Sequence, residues 1–304
     1  MTSLTGRIIR VRSRRFEAET PEGVRTVVIP KALRFRDPEF VDPVAVGDTV
    51  VLEQRGDETV VTSVDGRKNA LSRPASGRRG KRQILAANVD LAVIVLSTLS
   101  PRWKPSTLDR YLVLASSGGI SPAVCLNKID LSPEDRQSPL ADVYRDLGIP
   151  VLFTSVITGE GMEDLKARLA GKTCILFGPS GVGKSSLINV LNPDADLRVG
   201  EISDRTDKGM HTTTWVEMIR LVGGGRLIDS PGIRVLDLTG VSPENLTEHF
   251  PEMTRDLRRC RFSDCWHRTE PGCEVKAALE RGEIAPSRYD SYCRIMDSLE
   301  SGHG

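Results

Sequence analysis

Long apolar runs and aromatic residues are both scarce in this sequence. No hydrophobic run reaches the roughly 18 residues that a bilayer-spanning helix requires, which argues against a membrane protein. The first residues, Met1 to Arg7, lack the hydrophobic core of a secretion signal, so the protein is expected in the cytoplasm. Aromatic residues make up 5% of the chain, and residues 1–65 contain only Phe16, Phe35 and Phe40. Base stacking is therefore not strongly indicated there, and contacts with phosphates or nucleic-acid shape are favoured.

The formal net charge of +1 conceals an uneven distribution. Residues 1–84 contain 17 Lys and Arg against 11 Asp and Glu, whereas the remaining residues contain 25 basic and 30 acidic side chains. Within nine positions lie Arg7, Arg10, Arg12, Arg14 and Arg15. A basic N-terminal third on an acidic body predicts a localised contact with a polyanion. The alternative is a β-domain whose arginines serve only solubility.

Short β-type runs separated by turn residues dominate the first part of the chain. They cover 6–11, 25–29, 48–52 and 59–64, and no convincing helix interrupts them. This pattern predicts a small closed barrel of the OB-fold kind over residues 1–66, which can bind a nucleic-acid backbone.

The segment after the predicted barrel is strongly basic. Residues 67–82 contain seven positive charges and no acid, interspersed with Ser, Pro and Gly. We therefore predict a basic linker over residues 67–84, acting either as a flexible tether or as an arm that contacts phosphates.

A glycine-rich turn at residues 178–185, G-P-S-G-V-G-K-S, has the spacing of a phosphate-binding loop. A predicted strand at 173–177 precedes it and a predicted helix at 186–191 follows, so backbone N–H groups and the helix N-terminus can bind phosphate. Lys184 is expected to reach the β- and γ-phosphates, and Ser185 to bind Mg²⁺. The alternative is a glycine-rich turn in another kind of α/β protein. The predicted nucleotide contacts here are Gly178, Pro179, Ser180, Gly181, Val182, Gly183, Lys184, Ser185 and Ser186.

Predicted strands and helices alternate from residue 89 to residue 229. This alternation predicts an α/β domain with a parallel sheet whose ligands bind at the carboxyl ends of the strands. The predicted strands are 89–96, 123–126, 150–153, 173–177, 215–221 and 225–228, and the predicted helices include 106–117, 133–147 and 161–169.

Two further segments indicate that the nucleotide is GTP. Asp130, at the end of Asn127-Lys128-Ile129-Asp130, can accept hydrogen bonds from the ring N–H and the amine of guanine, a donor pair that adenine lacks. Ser155 and Val156 follow the next predicted strand and are expected to contact the base. Asp229 begins the sequence D-x-P-G and is expected in the Mg²⁺ shell, while Gly232 is expected to donate its N–H to the γ-phosphate.

Residues 208–214 lie where a switch loop of a GTPase belongs. One threonine of this loop is expected to complete Mg²⁺ coordination together with Ser185 and Asp229, and Thr213 is favoured over Thr212 and Thr214. Position 233 is Ile, which cannot orient the attacking water as a glutamine does in many GTPases. His211 is the candidate for that task, the alternative being a solvated loop residue. The predicted catalytic residues are His211, Lys184 and Thr213.

A cysteine and histidine cluster lies near the C-terminus. Three thiolates and one imidazole match the ligand set of a closed tetrahedral zinc site, formed by Cys260, Cys265, His267 and Cys273. The alternative is three unrelated thiols near a histidine. Cys125 and Cys174 are interpreted as core residues and Cys293 as a helix-packing residue. Helices are predicted at 243–258, 274–282 and 286–300, in a segment that needs the metal to fold.

The order of these motifs differs from that of most GTPases, because Asn127-Lys128-Ile129-Asp130 and the Ser155 loop precede the phosphate-binding loop. The same sheet can be built only from a circularly permuted chain. With its basic β-domain, A-N-V-D at 87–90, permuted motifs and cysteine cluster, the sequence resembles the RsgA (YjeQ) family over nearly its whole length. One departure is Val156, where the family usually has Ala.

The resemblance implies an N-terminal OB-fold domain at 1–66, a permuted P-loop GTPase core at 85–238 and a helical zinc-binding domain at 239–304. It also implies a monomer that uses GTP, GDP, Mg²⁺ and one structural Zn²⁺. The family's implied partners are the small (30S) ribosomal subunit and its 16S rRNA, with slow GTP hydrolysis that rises on the ribosome. Two alternatives stay open: a GTP-dependent RNA-binding switch acting elsewhere, and a non-catalytic scaffold with a structural nucleotide.

Overall fold

Three regions follow one another in the computed structural model: a β-barrel, a mixed sheet flanked by helices, and a helical C-terminal segment. The structure describes residues 3–12, 15–34, 39–75, 80–193, 215–229, 238, 240–255 and 259–302. Among these residues, no helix combines the length and the apolar character that a bilayer crossing demands.

The N-terminal barrel consists of five strands and is closed. Strand β1 pairs with both β2 and β4, and the parallel pairing of β3 with β5 completes the ring. Alternate side chains such as Ile8, Phe16 and Leu52 fill the interior. The strands are β1 (Ser3–Arg12), β2 (Arg15–Thr20), β3 (Gly23–Val28), β4 (Thr49–Arg55) and β5 (Glu58–Val64). The predicted small barrel is thus confirmed.

Two elements of the barrel region were not predicted. Strand β2 has only Phe16, Ala18 and Thr20 pointing inward between charged residues, so it carries too few apolar side chains to stand out in the sequence. A single helical turn, α1 (Lys31–Arg34), also lies where no helix was expected.

Some of the N-terminal arginines form contacts within the protein. Arg10 forms an ion pair with Glu17 at 2.6 Å and another with Glu217 of the core, and Arg7 donates a hydrogen bond to Thr173 at 3.4 Å. Arg14 lies outside the described residues. Arg7 and Arg10 therefore join the barrel to the core, and the contact of the basic N-terminal third with a polyanion stays a prediction.

The segment predicted as a flexible linker contains ordered strands. Strands β6 (Ala70–Pro74) and β7 (Arg82–Ala87) form an antiparallel pair that buries Leu71. Arg67 donates hydrogen bonds to both carboxylate oxygens of buried Asp48 at 2.7 Å. The turn-forming composition concealed this pairing, and residues 76–79 between the strands lie outside the described part.

The core sheet places the phosphate-binding loop at its centre. Its strand order is β10-β9-β8-β11-β13-β12, with all pairings parallel except the antiparallel β12–β13 pair. Strand β8 is buried along its whole length, as expected for a strand covered on both faces. The strands are β8 (Leu91–Ser97), β9 (Ser121–Asn127), β10 (Val151–Thr154), β11 (Thr173–Phe177), β12 (Trp215–Arg220) and β13 (Arg226–Asp229).

The helices of the core agree with the sequence except at prolines. The helix predicted at 133–147 is instead a 3₁₀ turn at Pro133–Gln137 followed by a separate helix, α3 (Pro139–Asp146). Pro139 divides them because it has no backbone N–H to continue the first helix, and it is well suited to begin the second. The core helices are α2 (Pro105–Ser117), α3 (Pro139–Asp146), α4 (Met162–Leu169) and α5 (Lys184–Leu191).

The C-terminal segment packs on helix α2 of the core. The helix predicted at 243–258 is instead a 3₁₀ turn at Leu246–His249 followed by α6 (Pro251–Thr254), again divided at a proline. Helices α7 (Glu274–Glu280) and α8 (Pro286–Glu300) follow. Arg288 of α8 is buried and paired with Asp109 of α2 and with Glu252 of α6.

Candidate nucleotide-binding site and metal centre

The phosphate-binding loop joins β11 to α5 through glycines that other residues could not replace. Gly178, Gly181 and Gly183 have φ angles of 141°, 80° and 95°, a region that favours glycine. A Cβ on Gly178 would lie 2.0 Å from the carbonyl oxygen of Val95, and one on Gly183 would lie 2.4 Å from Nδ2 of Asn127. The loop therefore lies tightly against the ends of β8 and β9.

Lys184 begins helix α5 and folds back over the loop. Its ammonium donates hydrogen bonds to the carbonyl oxygens of Gly178 at 2.7 Å and Pro179 at 2.6 Å. The positive charge is thus held beside the concave loop, where it can bind phosphate. Ser185 and Ser186 follow in the first turn of α5 and are partly buried.

The guanine motif meets the phosphate-binding loop directly, although some 50 residues separate the two. Asn127 donates a hydrogen bond from Nδ2 to the carbonyl oxygen of Val182 at 2.9 Å. The ammonium of Lys128 donates to the carbonyl oxygens of Gly181 and Ser100, each at 2.6 Å. The permuted order of the motifs is therefore compatible with a single nucleotide site.

Two threonines that the sequence did not single out hold this motif in place. Thr98, just after β8, donates from its hydroxyl to the carbonyl oxygen of Lys128 at 2.7 Å and from its N–H to that of Asn127 at 3.0 Å. Thr154, at the end of β10, donates to Oδ1 of Asn127 at 3.1 Å. The only available signal was their position at the carboxyl ends of strands.

Asp130 has a carboxylate oxygen that is available to accept a hydrogen bond from a ligand. Its Oδ1 atom is buried but has no hydrogen-bond partner among the described residues. A buried carboxylate oxygen without a donor is costly, and a guanine base offers the donors it lacks. The neighbouring Ile129 is fully buried, so its side chain serves the core.

The loop that follows β10 is held by its own hydrogen bonds and by an ion pair. Ser155 is buried, and its Oγ accepts a hydrogen bond from the N–H of Thr158 at 3.2 Å. The guanidinium of Arg136 donates to both carboxylate oxygens of Glu160 at 2.6 Å, which fixes the far side of the loop. Val156 is partly buried and packs against the core.

The residues expected near the γ-phosphate are only partly described. Asp229 is the last residue of β13 and lies directly opposite Glu217 of β12. His211, Thr213 and Gly232 lie outside the described residues.

The cysteine and histidine cluster has the dimensions of a zinc site. The ligand atoms of its four residues all lie within 4.8 Å of one another: Cys260, Cys265, His267 and Cys273. Nδ1 of His267 lies 3.4 Å from Sγ of Cys273 and 3.7 Å from Sγ of Cys260. Zn–S bonds of about 2.3 Å and Zn–N bonds of about 2.0 Å in a tetrahedron put the ligand atoms about 3.5–3.8 Å apart. The cluster therefore fits one tetrahedral zinc ion.

A carboxylate fixes the loop that carries the histidine. Glu270 accepts hydrogen bonds from the N–H groups of Trp266, Arg268 and Thr269 at 2.8–3.0 Å. Burial opposes ionisation, but these backbone donors dominate together and lower the pKa of Glu270 to about 2. The hydroxyl of Tyr289 donates to the carbonyl oxygen of His267 at 2.6 Å.

The other cysteines belong to the core, as predicted. Burial raises the pKa of Cys125 to about 11 and that of Cys174 to about 12, so both remain neutral thiols at neutral pH. Cys293 packs partly buried on α8.

With this geometry in place, the relationship to known proteins can be stated. The profile of the RsgA GTPase family matches residues 64–239. The chain belongs to the RsgA GTPase family. A relative from Chlorobaculum tepidum, named small ribosomal subunit biogenesis GTPase RsgA, is 40% identical over 98% of both chains. A relative of the same name from Haemophilus influenzae (strain 86-028NP) is 41% identical over 84% of this chain and 75% of its own.

Solved structures of RsgA-like proteins share the fold. YjeQ from Thermotoga maritima superimposes with a TM-score of 0.79 at 32% identity, covering 98% of this chain and 99% of that one. YloQ, described as a circularly permuted GTPase, superimposes with a TM-score of 0.76 at 29% identity, covering 99% and 96%. The predicted family, the permuted core with its barrel, and the assignment as a GTP-hydrolysing enzyme are confirmed.

Proposed function

We propose that this GTPase binds the small (30S) ribosomal subunit through its 16S rRNA in the cytoplasm, acts late in subunit maturation, and hydrolyses GTP faster when bound. The observation that carries the proposal is the 40% identity, over 98% of both chains, to a protein named small ribosomal subunit biogenesis GTPase. The closed barrel supports it, since such barrels bind nucleic-acid backbones. We further propose that the protein acts as a monomer.

Recognition of guanine rests on Asp130, supported by its buried Oδ1 atom, which has no hydrogen-bond partner within the described ranges of the chain. Asn127 and Lys128 position this carboxylate through their bonds to the phosphate-binding loop, and the Ser155–Val156 loop covers the base. The glycines of the loop and Lys184 bind the phosphates. When Mg²⁺ is bound it supplies charge neutralisation at the β- and γ-phosphates, with Ser185, Thr213 and Asp229 as its protein partners.

The attacking water is positioned by His211, and Gly232 binds the γ-phosphate through its N–H. Ile233 supports this proposal because an aliphatic side chain cannot orient water. The four zinc ligands serve a structural role, because their closed set leaves no position for chemistry.

Turnover measured with and without purified 30S subunits tests the proposal. We expect the subunit to stimulate hydrolysis and His211→Ala to abolish the stimulation while GTP affinity stays unchanged. Stimulation by free RNA equal to that by 30S subunits would favour a GTP-dependent RNA switch acting elsewhere. Absence of any turnover would favour a scaffold with a structural nucleotide.

A further inference from the structure

A row of charged side chains crosses the junction between the barrel and the core sheet. Glu17 of β2, Arg10 of β1, Glu217 of β12 and Asp229 of β13 lie directly opposite one another on four neighbouring strands. Residues directly opposite in antiparallel strands project from the same face of a sheet. The row therefore places an arginine of the barrel with only strand β12 between it and the aspartate that begins D-x-P-G.

Arg10 neutralises the acidic residue next to this aspartate. It forms ion pairs with both Glu217 and Glu17, the latter at 2.6 Å, and Arg12 lies 3.8 Å from Glu217. The side chain of Glu217 is only 20% exposed, so water screens its charge incompletely. These contacts hold the carboxylate of Glu217 toward the barrel.

Without Arg10, two acidic side chains would face each other across β12 and β13. Like charges directly opposite in a sheet repel, so a Glu217 left with only its longer, 3.8 Å contact to Arg12 would repel Asp229. GTP carries one more negative charge than GDP, and that charge lies at the γ-phosphate. An unbalanced carboxylate beside Asp229 consequently opposes GTP more strongly than GDP.

We propose that Arg10 is a positioning residue of the barrel that favours GTP over GDP by neutralising Glu217 beside Asp229. The inference rests on the proposed role of Asp229 at the Mg²⁺ and γ-phosphate end of the site. Because Arg10 belongs to the barrel, any partner that shifts β1 relative to β12 changes the preference for GTP. By thermodynamic linkage, the bound nucleotide then changes the affinity of the barrel for that partner.

The ratio of GTP to GDP affinity, measured with fluorescent nucleotide analogues in Mg²⁺, tests this role. Arg10→Gln is expected to lower the ratio by about threefold to tenfold, as one extra unscreened charge near the site predicts, and 1 M salt should reduce the difference. Arg10→Gln combined with Glu217→Gln should restore the ratio, because the unbalanced charge is gone. Arg10→Lys, which keeps the charge, should stay close to wild type.

Glu19→Gln is the matched control. Glu19 of β2 pairs with Arg220 and with Arg226, the latter at 3.2 Å, at the other end of the same β12–β13 pair. This variant also removes barrel–core ion pairs but leaves the row at Asp229 intact, so its ratio should not change. The proposal would be overturned if Glu19→Gln lowered the ratio of GTP to GDP affinity as much as Arg10→Gln does, or if the double variant did not restore the ratio. Either result would show that a loosened contact between barrel and core, rather than the charge of Glu217, is responsible.

Two further variants keep the outcome interpretable. Should Arg10→Gln fail to fold, Glu217→Gln alone must give a ratio of GTP to GDP affinity at or above that of the wild type, and a lower ratio rejects the inference.

Asp229→Asn should weaken the Mg²⁺ dependence of GTP binding. If the Mg²⁺ dependence is unchanged, the proposed role of Asp229 at Mg²⁺ is wrong. If it weakens while Arg10→Gln leaves the ratio of GTP to GDP affinity unchanged, only the proposed role of Arg10 is wrong.

Discussion

Asp130 is the residue that we propose selects the base of the nucleotide. Its Oδ1 atom is buried and has no hydrogen-bond partner in the part of the chain that the structure describes, while Asn127 and Lys128 of the same motif already bind the phosphate-binding loop. A preorganised carboxylate of this kind loses little on binding guanine, because its neighbours are fixed beforehand. We expect it to disfavour adenine, which would leave the oxygen desolvated and unpaired.

Asp130→Asn should change base specificity rather than stability. The amide oxygen of asparagine can still accept one hydrogen bond from guanine, but its NH₂ group cannot accept the second. Hydrogen bonds to a charged group are worth about 1.5–3 kcal/mol each, so losing one lowers GTP affinity by a factor of about 10 to 10². Xanthine carries a carbonyl where guanine has its amine, so the new amide should bind XTP better than the carboxylate does. Equilibrium titration with GTP, XTP and ATP checks this, with Asp146→Asn on the exposed face of α3 as the control. Retained GTP preference would contradict the assignment.

How far the sequence predicts the site depends on whether a residue belongs to a spaced pattern. Lys184 and Asp130 follow from glycine, lysine and aspartate at set distances. Thr98 and Thr154 do not, since isolated threonines occur at many strand ends and only the assembled sheet brings them to Asn127. The alignment of Arg10, Glu217 and Asp229 could not be predicted from the sequence either, because the register of strands that are distant along the chain does not follow from local residue patterns.

At the scale of elements, strands and helices were predicted well where the apolar pattern is continuous. Strand β11 has the predicted limits, Thr173–Phe177. Strand β2 was missed because it alternates with charges, and β6 and β7 were missed because Ser, Gly and Arg surround their few apolar residues. The two predicted helices that proved discontinuous are divided at Pro139 and Pro251, whose local effect overrides a longer helical pattern.

Helix α8 is attached to the core through a buried arginine. The guanidinium of Arg288 pairs with Asp109 and Glu252 and lies 4.5 Å from the ring centre of Phe250. Burial raises the pKa of Asp109, and the charge of Arg288 opposes that rise. The pairing thus offsets part of the cost of burying the two carboxyl groups in a site with little water.

Arg288→Met should destabilise the protein by about 3–5 kcal/mol at neutral pH, because it leaves buried carboxylates unpaired. The pKa of Asp109 should then rise further above its unfolded value. Stability would consequently fall as the pH increases, so the loss should be smaller at pH 5 than at pH 8. Urea unfolding at both pH values measures the free energy of unfolding.

Arg294→Met on the exposed face of α8 is the control, with an expected change within about 0.5 kcal/mol. An equal loss of stability in the control would show that the buried pairing of Arg288 is not the cause.

At the scale of the whole molecule, one continuous sheet connects the barrel to the GTPase core. Strand β1 closes the barrel with β4 and also pairs with β12, so eleven strands form one hydrogen-bonded sheet. The C-terminal segment attaches differently, by side-chain packing of α8 on α2 and by the ion pair of Arg288 with Asp109. Barrel and core should therefore respond together to nucleotide, while the loop around the zinc ligands depends on its metal.

Removal of zinc should consequently unfold the region of residues 259–273 before the core. Besides the ligands, mainly polar contacts support this loop. They are the hydrogen bonds to Glu270, the hydrogen bonds from Tyr289 and Tyr292 to the carbonyl oxygens of His267 and Trp266, and the ion pairs of Arg268 with Asp297 and Glu300. After chelation, we expect fast amide hydrogen exchange in this region and unchanged GTP affinity. Cys273→Ser should reproduce the effect, whereas Cys293→Ser, outside the cluster, should not. Simultaneous loss of protection in β8 and β11 would mean that the metal stabilises the core as well, because only a shared cooperative unit loses both at once.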